Sequence, residues 1–182
     1  MHRHVRPRLA FATLALLPAL SLPAPALAAD ASPSFAAEGT WVDCNIVTDL
    51  RKVGPLLNIT VNISQTFTGT LSGGFVGTEY DIVYQDGNAT FRGSGTFTGM
   101  VNGKKGRAVF SYDGTVNAQG VGSASWVLDK GADELKNLRG QGAFSAAIFP
   151  LQQTPYTPTD PTVCDGGMYG GSYSGTLQFK RE

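Results

Sequence analysis

Leu56-Leu57-Asn58-Ile59-Thr60-Val61-Asn62-Ile63-Ser64-Gln65-Thr66-Phe67-Thr68-Gly69-Thr70-Leu71-Ser72-Gly73 alternates side-chain character with a period of two. Leu57, Ile59, Val61, Ile63, Gln65, Phe67, Gly69 and Leu71 occupy odd positions. Asn58, Thr60, Asn62, Ser64, Thr66, Thr68 and Thr70 occupy even ones. Successive strand residues point to opposite faces, so this pattern is a long β-strand with one buried and one wet face. No stretch of period 3.6 rivals it outside the first residues.

Working outward, the same reading repeats. Gly39–Val47 is a first strand with Trp41 as its largest apolar group, and Leu50–Pro55 is a turn. Phe75–Gln85 is a third strand, with Val76, Tyr80, Ile82 and Tyr84 as the apolar face and Glu79 and Asp81 opposite. Asp86-Gly87-Asn88 and Asn102-Gly103 are hairpin turns, because Gly supplies the positive φ that tight turns need. Between them Asn88–Val101 is a fourth strand carrying Ala89, Phe91, Phe97 and Val101 on the face of Gly93, Gly95 and Gly99. Lys105–Val116, Val121–Leu128, Gly142–Phe149 and Tyr169–Lys180 complete the set. Polar Asp129–Gly140 reads as a loop holding a helical turn, and proline-rich Pro150–Gly167 as a long irregular loop.

Ser64–Gly73 and Ser94–Gly103 are identical at six of ten positions, which marks two equivalent strand ends and turns. About eight strands in up-and-down order leave two open edges unless the sheet closes. The expected fold is therefore all-β, a closed antiparallel barrel, with in-strand glycines easing its bends. A two-sheet sandwich is the alternative.

The first residues are read separately. Arg3, Arg6 and Arg8 precede the apolar run Leu9–Leu22, and Ala26-Leu27-Ala28 follows as a small-residue cleavage site. This order is that of a secretory signal peptide over 1–28. The run is shorter than the about 20 residues of a membrane span. Residues 29–37 then form a disordered lead and 38–182 a single domain. The expected location is extracellular, or periplasmic if the host has an outer membrane.

Removing 1–28 takes three of 14 basic residues and none of the 14 acidic ones, leaving 11 − 14 = −3. A mildly acidic surface argues against nucleic acid as a partner. His2 and His4 also leave, and with them go Ser-His-Asp, Cys-His and His-based metal chemistry. In an exported chain the lone Cys44 and Cys164 are expected to pair.

No catalytic residue, cofactor or metal site is assigned. The inward aromatic set by parity is Phe67, Tyr80, Tyr84, Phe97, Tyr112, Trp126 and Tyr173, and these are the candidates for a ligand pocket. Alternation with Gly93, Gly95 and Gly99 could leave room between them, and plain core packing is the competing reading. Glu79 and Asp81 lie on one strand face about 7 Å apart and could do acid–base work, but parity turns them outward. Asp129, Asp133 and Glu134 lack calcium-loop spacing, so a solvated loop is the simpler reading. Asn58, Asn62 and Asn88 begin glycosylation sequons on the wet face or in a turn.

The glycine and apolar spacing of the later strands carries a resemblance. Phe97-Thr98-Gly99, Gly103, Gly106, Gly114-Thr115, Trp126, Glu134-Leu135 and Leu138-Arg139-Gly140-Gln141-Gly142 resemble the DUF3224 family of small bacterial proteins of unknown function. The likeness runs over residues 57–149, and Gly175-Thr176-Leu177 also fits. It implies a barrel similar to the allene oxide cyclase-like, calycin-like group. The Glu near Gly95 and the His near Tyr112 that many members carry are absent here. Two functions follow as expectations: an exported barrel that binds a small apolar ligand or a partner, or a cofactor-free isomerase or cyclase. An ionisable residue facing a closed cavity would favour the second; parity places no Asp, Glu, Lys or Arg inward in the central strands, so binding is the expected function.

Overall fold

The computed structural model describes residues 33–148, 164 and 167–180. The leader and most of the Pro150–Gly167 segment lie outside the described residues. Eight strands follow in order: β1 Ser34–Val53, β2 Leu56–Gly69, β3 Leu71–Val83, β4 Ala89–Val101, β5 Lys104–Val116, β6 Val121–Asp133, β7 Leu138–Ile148 and β8 Tyr169–Phe179. Each pairs antiparallel with the next, and β1 pairs with β8, so the sheet closes into a barrel. The sandwich alternative is thereby excluded. Asn102 and Gly103 take φ of 49° and 77°, and Gly87 takes 83°, as the expected hairpin turns require.

Several boundaries differ from the sequence reading: β3 already begins at Leu71 and β7 at Leu138, and three further shifts bear on the barrel. β1 already begins at Ser34, and Phe35, Ala36 and Ala37 pair with Leu177, Thr176 and Gly175. Residues 34–37 therefore belong to the barrel and not to a disordered lead. At its other end β1 runs through Leu50–Val53, leaving Gly54 and Pro55 as the turn. β6 continues to Asp133, and residues 134–137 form a turn with no helix. The polar run Asp129–Asp133 conceals this strand because a ladder partner on β5 supplies its backbone bonds whatever its side chains are. Leu135, from that turn, is fully buried and plugs the barrel end.

Inside that end the core is aromatic. The Phe67 ring lies 5.5 Å from Phe110, 5.7 Å from Tyr173 and 6.0 Å from Phe97. Trp126 stacks on Phe110 at 5.7 Å. The Tyr173 hydroxyl accepts from the Leu71 N–H at 2.7 Å and donates to the Thr68 carbonyl at 3.1 Å. Glycines make these rings fit: a Cβ on Gly142 or Gly175 would stand 2.6 Å from the Trp126 ring, and one on Gly93 only 2.2 Å from the Tyr112 ring. The in-strand glycines thus hold rings where the sequence suggested free room.

β3 reverses the expected parity. Phe75 and Glu79 are buried, whereas Val76, Tyr80, Ile82 and Tyr84 are exposed. The cause is hairpin register. Phe67 pairs with Gly73 and Val61 with Glu79 across β2 and β3, and Phe75 pairs with Phe97 across β3 and β4. Odd residues of β2 and β4 face inward, so the odd residues of β3 must too.

The Cys44–Cys164 disulfide forms as expected, with Cα atoms 5.1 Å apart across 120 positions of sequence. It lies on the outer side of β1. There Val42, Cys44, Cys164 and Met168 make a small second cluster, so that Trp41–Asn45 is buried on both faces.

Candidate functional site

Opposite the aromatic plug, the barrel end that carries the β1–β2, β3–β4 and β5–β6 turns holds a cavity of about 170 Å³. Its walls are apolar: Val47, Ile59, Val61, Val83, Ala89, Phe91 and Val116, with Trp41 and Phe144 deeper in. Its polar groups come from five strands. β1 contributes Asp43 and Asn45, β2 Gln65, β3 Glu79 and Asp81, and β5 Tyr112, while Tyr169 stands at the start of β8. No Lys, Arg or His is among the lining residues.

Strand alternation explains the placement. Asp43 and Asn45 share the inward parity of Trp41, Gln65 continues the inward face of Val61 and Ile63, and Glu79 and Asp81 follow Phe75. Asp43, Asn45, Gln65 and Glu79 are each no more than 8 % exposed. Buried carboxyls of this kind are rare unless paired. Here the pairing is sparse. Asp43 Oδ1 accepts the Tyr169 N–H at 2.7 Å. Asn45 Oδ1, Gln65 Oε1 and Asp81 Oδ1 have no hydrogen-bond partner among the described residues, and the Tyr112 hydroxyl has only the neighbouring Glu79 carboxyl, in poor geometry. An unsatisfied buried polar atom costs about 1–3 kcal/mol, so three in one cavity is a sizeable departure from ordinary core construction.

The electrostatics follow from burial. Loss of water raises Asp43 to about 7, against the opposing Tyr169 N–H and Gln65 side chain. Glu79 rises to about 8, first through burial and then through the neighbouring Asp81 charge. Asp81 rises to about 6 by burial, with Glu79 holding it lower. Burial, then the Glu79 charge, pushes the Tyr112 phenol well up. Burial, then the Asp43 charge, also raises Tyr169. A cluster with these properties holds both protonated and ionised carboxyls near neutral pH.

The sequence-derived pocket residues divide three ways. Tyr112 borders the cavity. Phe67, Phe97, Trp126 and Tyr173 face inward but belong to the packed core. Tyr80 and Tyr84 are 52 % and 41 % exposed and point away from the interior. Glu79 and Asp81, expected outside, are the cavity's central acids. Asp43 and Asn45 escaped the sequence reading, although they share the parity of Trp41, and Gln65, on the inward parity of β2, was not among the pocket candidates.

Elsewhere, Asp133 pairs with Arg107 at 3.4 Å and Glu134 accepts the Lys105 N–H at 2.8 Å, bracing the β6–β7 turn against β5. Among the described residues no group of three or more His, Cys, Asp or Glu is placed to hold a metal ion. No helix among them is long and apolar enough to cross a membrane. Asn58, Asn62 and Asn88 are exposed.

Comparison with known proteins gives two findings. The family model described as "Protein of unknown function (DUF3224)" matches residues 48–152. A solved structure of a DUF3224 protein of unknown function from Shewanella oneidensis MR-1 is similar, with a TM-score of 0.59 and 17% identity, covering 82% of this chain and 100% of that one. At that identity the likeness concerns the fold. No curated protein matches the chain.

Proposed function

This chain belongs to the DUF3224 family, and from that premise we propose that it is an exported barrel whose carboxyl-lined cavity binds one small, mainly apolar molecule. The carrying observation is the coincidence of an apolar-walled cavity with four poorly partnered buried polar atoms. A well-filled core leaves neither, and apolar walls with a few convergent polar groups are the usual form of a ligand site. The size suits a single ring, since a cavity of roughly 150 Å³ is enough for benzene. Export is supported by the Arg3–Ala28 leader pattern and by the disulfide, which is compatible with an extracellular or periplasmic place.

Titration with toluene, followed by amide chemical shifts, tests this reading. The expected result is saturable 1:1 binding with shifts at Phe91, Ala124 and Phe144, weakened by Val83→Phe at the wall. No shift at those residues up to toluene saturation rejects the site.

Ionisable groups facing the cavity, the adjacent acids Glu79 and Asp81 with Asp43, favour one second reading, cofactor-free proton transfer. One carboxylate would take a proton from a carbon acid and the other carboxyl would return one. Exchange of solvent deuterium into 2-indanone, abolished in Glu79→Gln, would support it. An exchange rate equal to that of buffer rejects it.

A further inference from the structure

We propose that the molecule this cavity accepts is an organic cation, an ammonium or amidinium group on an apolar body of about one ring. The proposal rests on the cavity being a ligand site and names the chemistry of its occupant.

The argument starts from the balance of donors and acceptors. Of the four atoms, Asn45 Oδ1 and Gln65 Oε1 can only accept, and Asp81 Oδ1 only accepts once its carboxyl is ionised. The fourth, the Tyr112 hydroxyl, can accept as well as donate. Three carboxyl groups add further acceptor capacity, of which the Tyr169 N–H satisfies one site on Asp43. The cavity therefore asks for several N–H donors converging from one point, and an ammonium supplies three.

Charge points the same way. Asp43 enters from β1, and Glu79 and Asp81 from β3. Tyr112 and Tyr169 enter from β5 and β8. β2, β4, β6 and β7 bring only Gln65 and apolar groups, such as Phe91 and Ala124. No basic side chain faces the acids, so in their buried setting only bound protons offset their negative charge. A cation offsets it instead, whereas an anionic ligand adds to it. The rings of Trp41, Phe91 and Phe144 present further faces on which a cation is attracted. The ion pairs Arg51–Asp49 and Arg107–Asp133, by contrast, lie exposed on the outer surface.

Protons report the event. The acids are partly protonated near neutrality because burial raises all three. Entry of a cation favours their ionised forms and expels protons. Affinity should then rise with pH from about 5.5 to 8, a range in which an alkylamine with pKa of about 10 stays charged.

The test is calorimetric titration of the disulfide-intact protein with four probes of one size: benzylammonium, benzyl alcohol, benzoate and toluene. Benzylammonium should bind at least tenfold tighter than benzyl alcohol at pH 8, weaken several-fold at pH 5.5 and release protons to buffer, with benzoate weakest. Glu79→Gln and, separately, Asp43→Asn should erase the preference for the cation while toluene still binds. Equal affinity for benzylammonium and benzyl alcohol, or tighter benzoate, overturns the cation proposal and leaves the ligand site standing. Failure of all four, toluene included, overturns both.

Discussion

At the barrel end closed by the β2–β3, β4–β5 and β6–β7 turns, Leu71, Val101, Leu128, Leu135 and Leu138 are fully buried beside Phe67, Phe110 and Trp126. Its interior Tyr173 hydroxyl is fully used. At the other end the same eight strands turn Asp43, Asn45, Gln65, Glu79 and Tyr112 inward around a cavity. The first end obeys the rules of close packing and polar satisfaction. The second violates both. Since alternation and register are shared, the difference lies wholly in which side chains occupy the inward positions. A fold does not need acids there, and a site does.

Removing weight from the packed end should do the most damage. Trp126→Ala is expected to cost about 3–5 kcal/mol, measured by urea unfolding, because its space between Gly142 and Gly175 cannot collapse onto backbone. Phe91→Ala, at the half-buried cavity wall, should cost less than half as much. Equal losses would erase the distinction between the ends.

The disulfide comes next. Cys44→Ser with Cys164→Ser should cost about 2–5 kcal/mol. Its effect on amide exchange should be greatest near Asp43 and Tyr169, which the bridge holds together through the Asp43–Tyr169 hydrogen bond, and least near Phe67. A uniform loss of protection would remove the local role.

The pH response is the third probe. Asp43, Glu79 and Asp81 are raised above their unfolded values. Between about pH 4 and 8 the folded state therefore holds more protons than the unfolded one, and stability falls as pH rises through that window. The expected loss is on the order of a few kcal/mol. Glu79→Gln should flatten the lower half of the barrel's Tm-against-pH curve least and the region around pH 7–8 most. A Tm that climbs from pH 5 to 8 would contradict the burial of these acids.

The smallest effect belongs to the outer wall. Tyr80→Ser should change stability by no more than about 0.5 kcal/mol, because Tyr80 is half exposed. A loss comparable to Trp126→Ala would return Tyr80 to the interior and undo the register of β3.

The packed end was readable because Leu57–Leu71 and Ala89–Val101 place apolar residues and glycines on one parity. The disulfide was readable from two cysteines alone. β3 was not, because Val76, Tyr80, Ile82 and Tyr84 make its even face look like the buried one, and parity then turns the acids outward. Register held the missing signal: the Asp86-Gly87-Asn88 turn joins Val83 to Ala89, so an inward Ala89 carries Glu79 and Asp81 inward with it. Asp43 and Asn45 share the phase of Trp41, but polar side chains give no apolar signal of burial.

Replacing Glu79 by methionine and measuring urea unfolding at pH 8 bears most directly on the contrast between the two ends. If the acid is kept for a ligand and opposes folding, Glu79→Met shifts the midpoint upward with an unchanged slope, as apolar replacement of a buried charge commonly does, and benzylammonium binding is lost. A midpoint lowered by about 2 kcal/mol or more, with binding retained, would show that Glu79 belongs to the architecture and that the two ends are not different in kind.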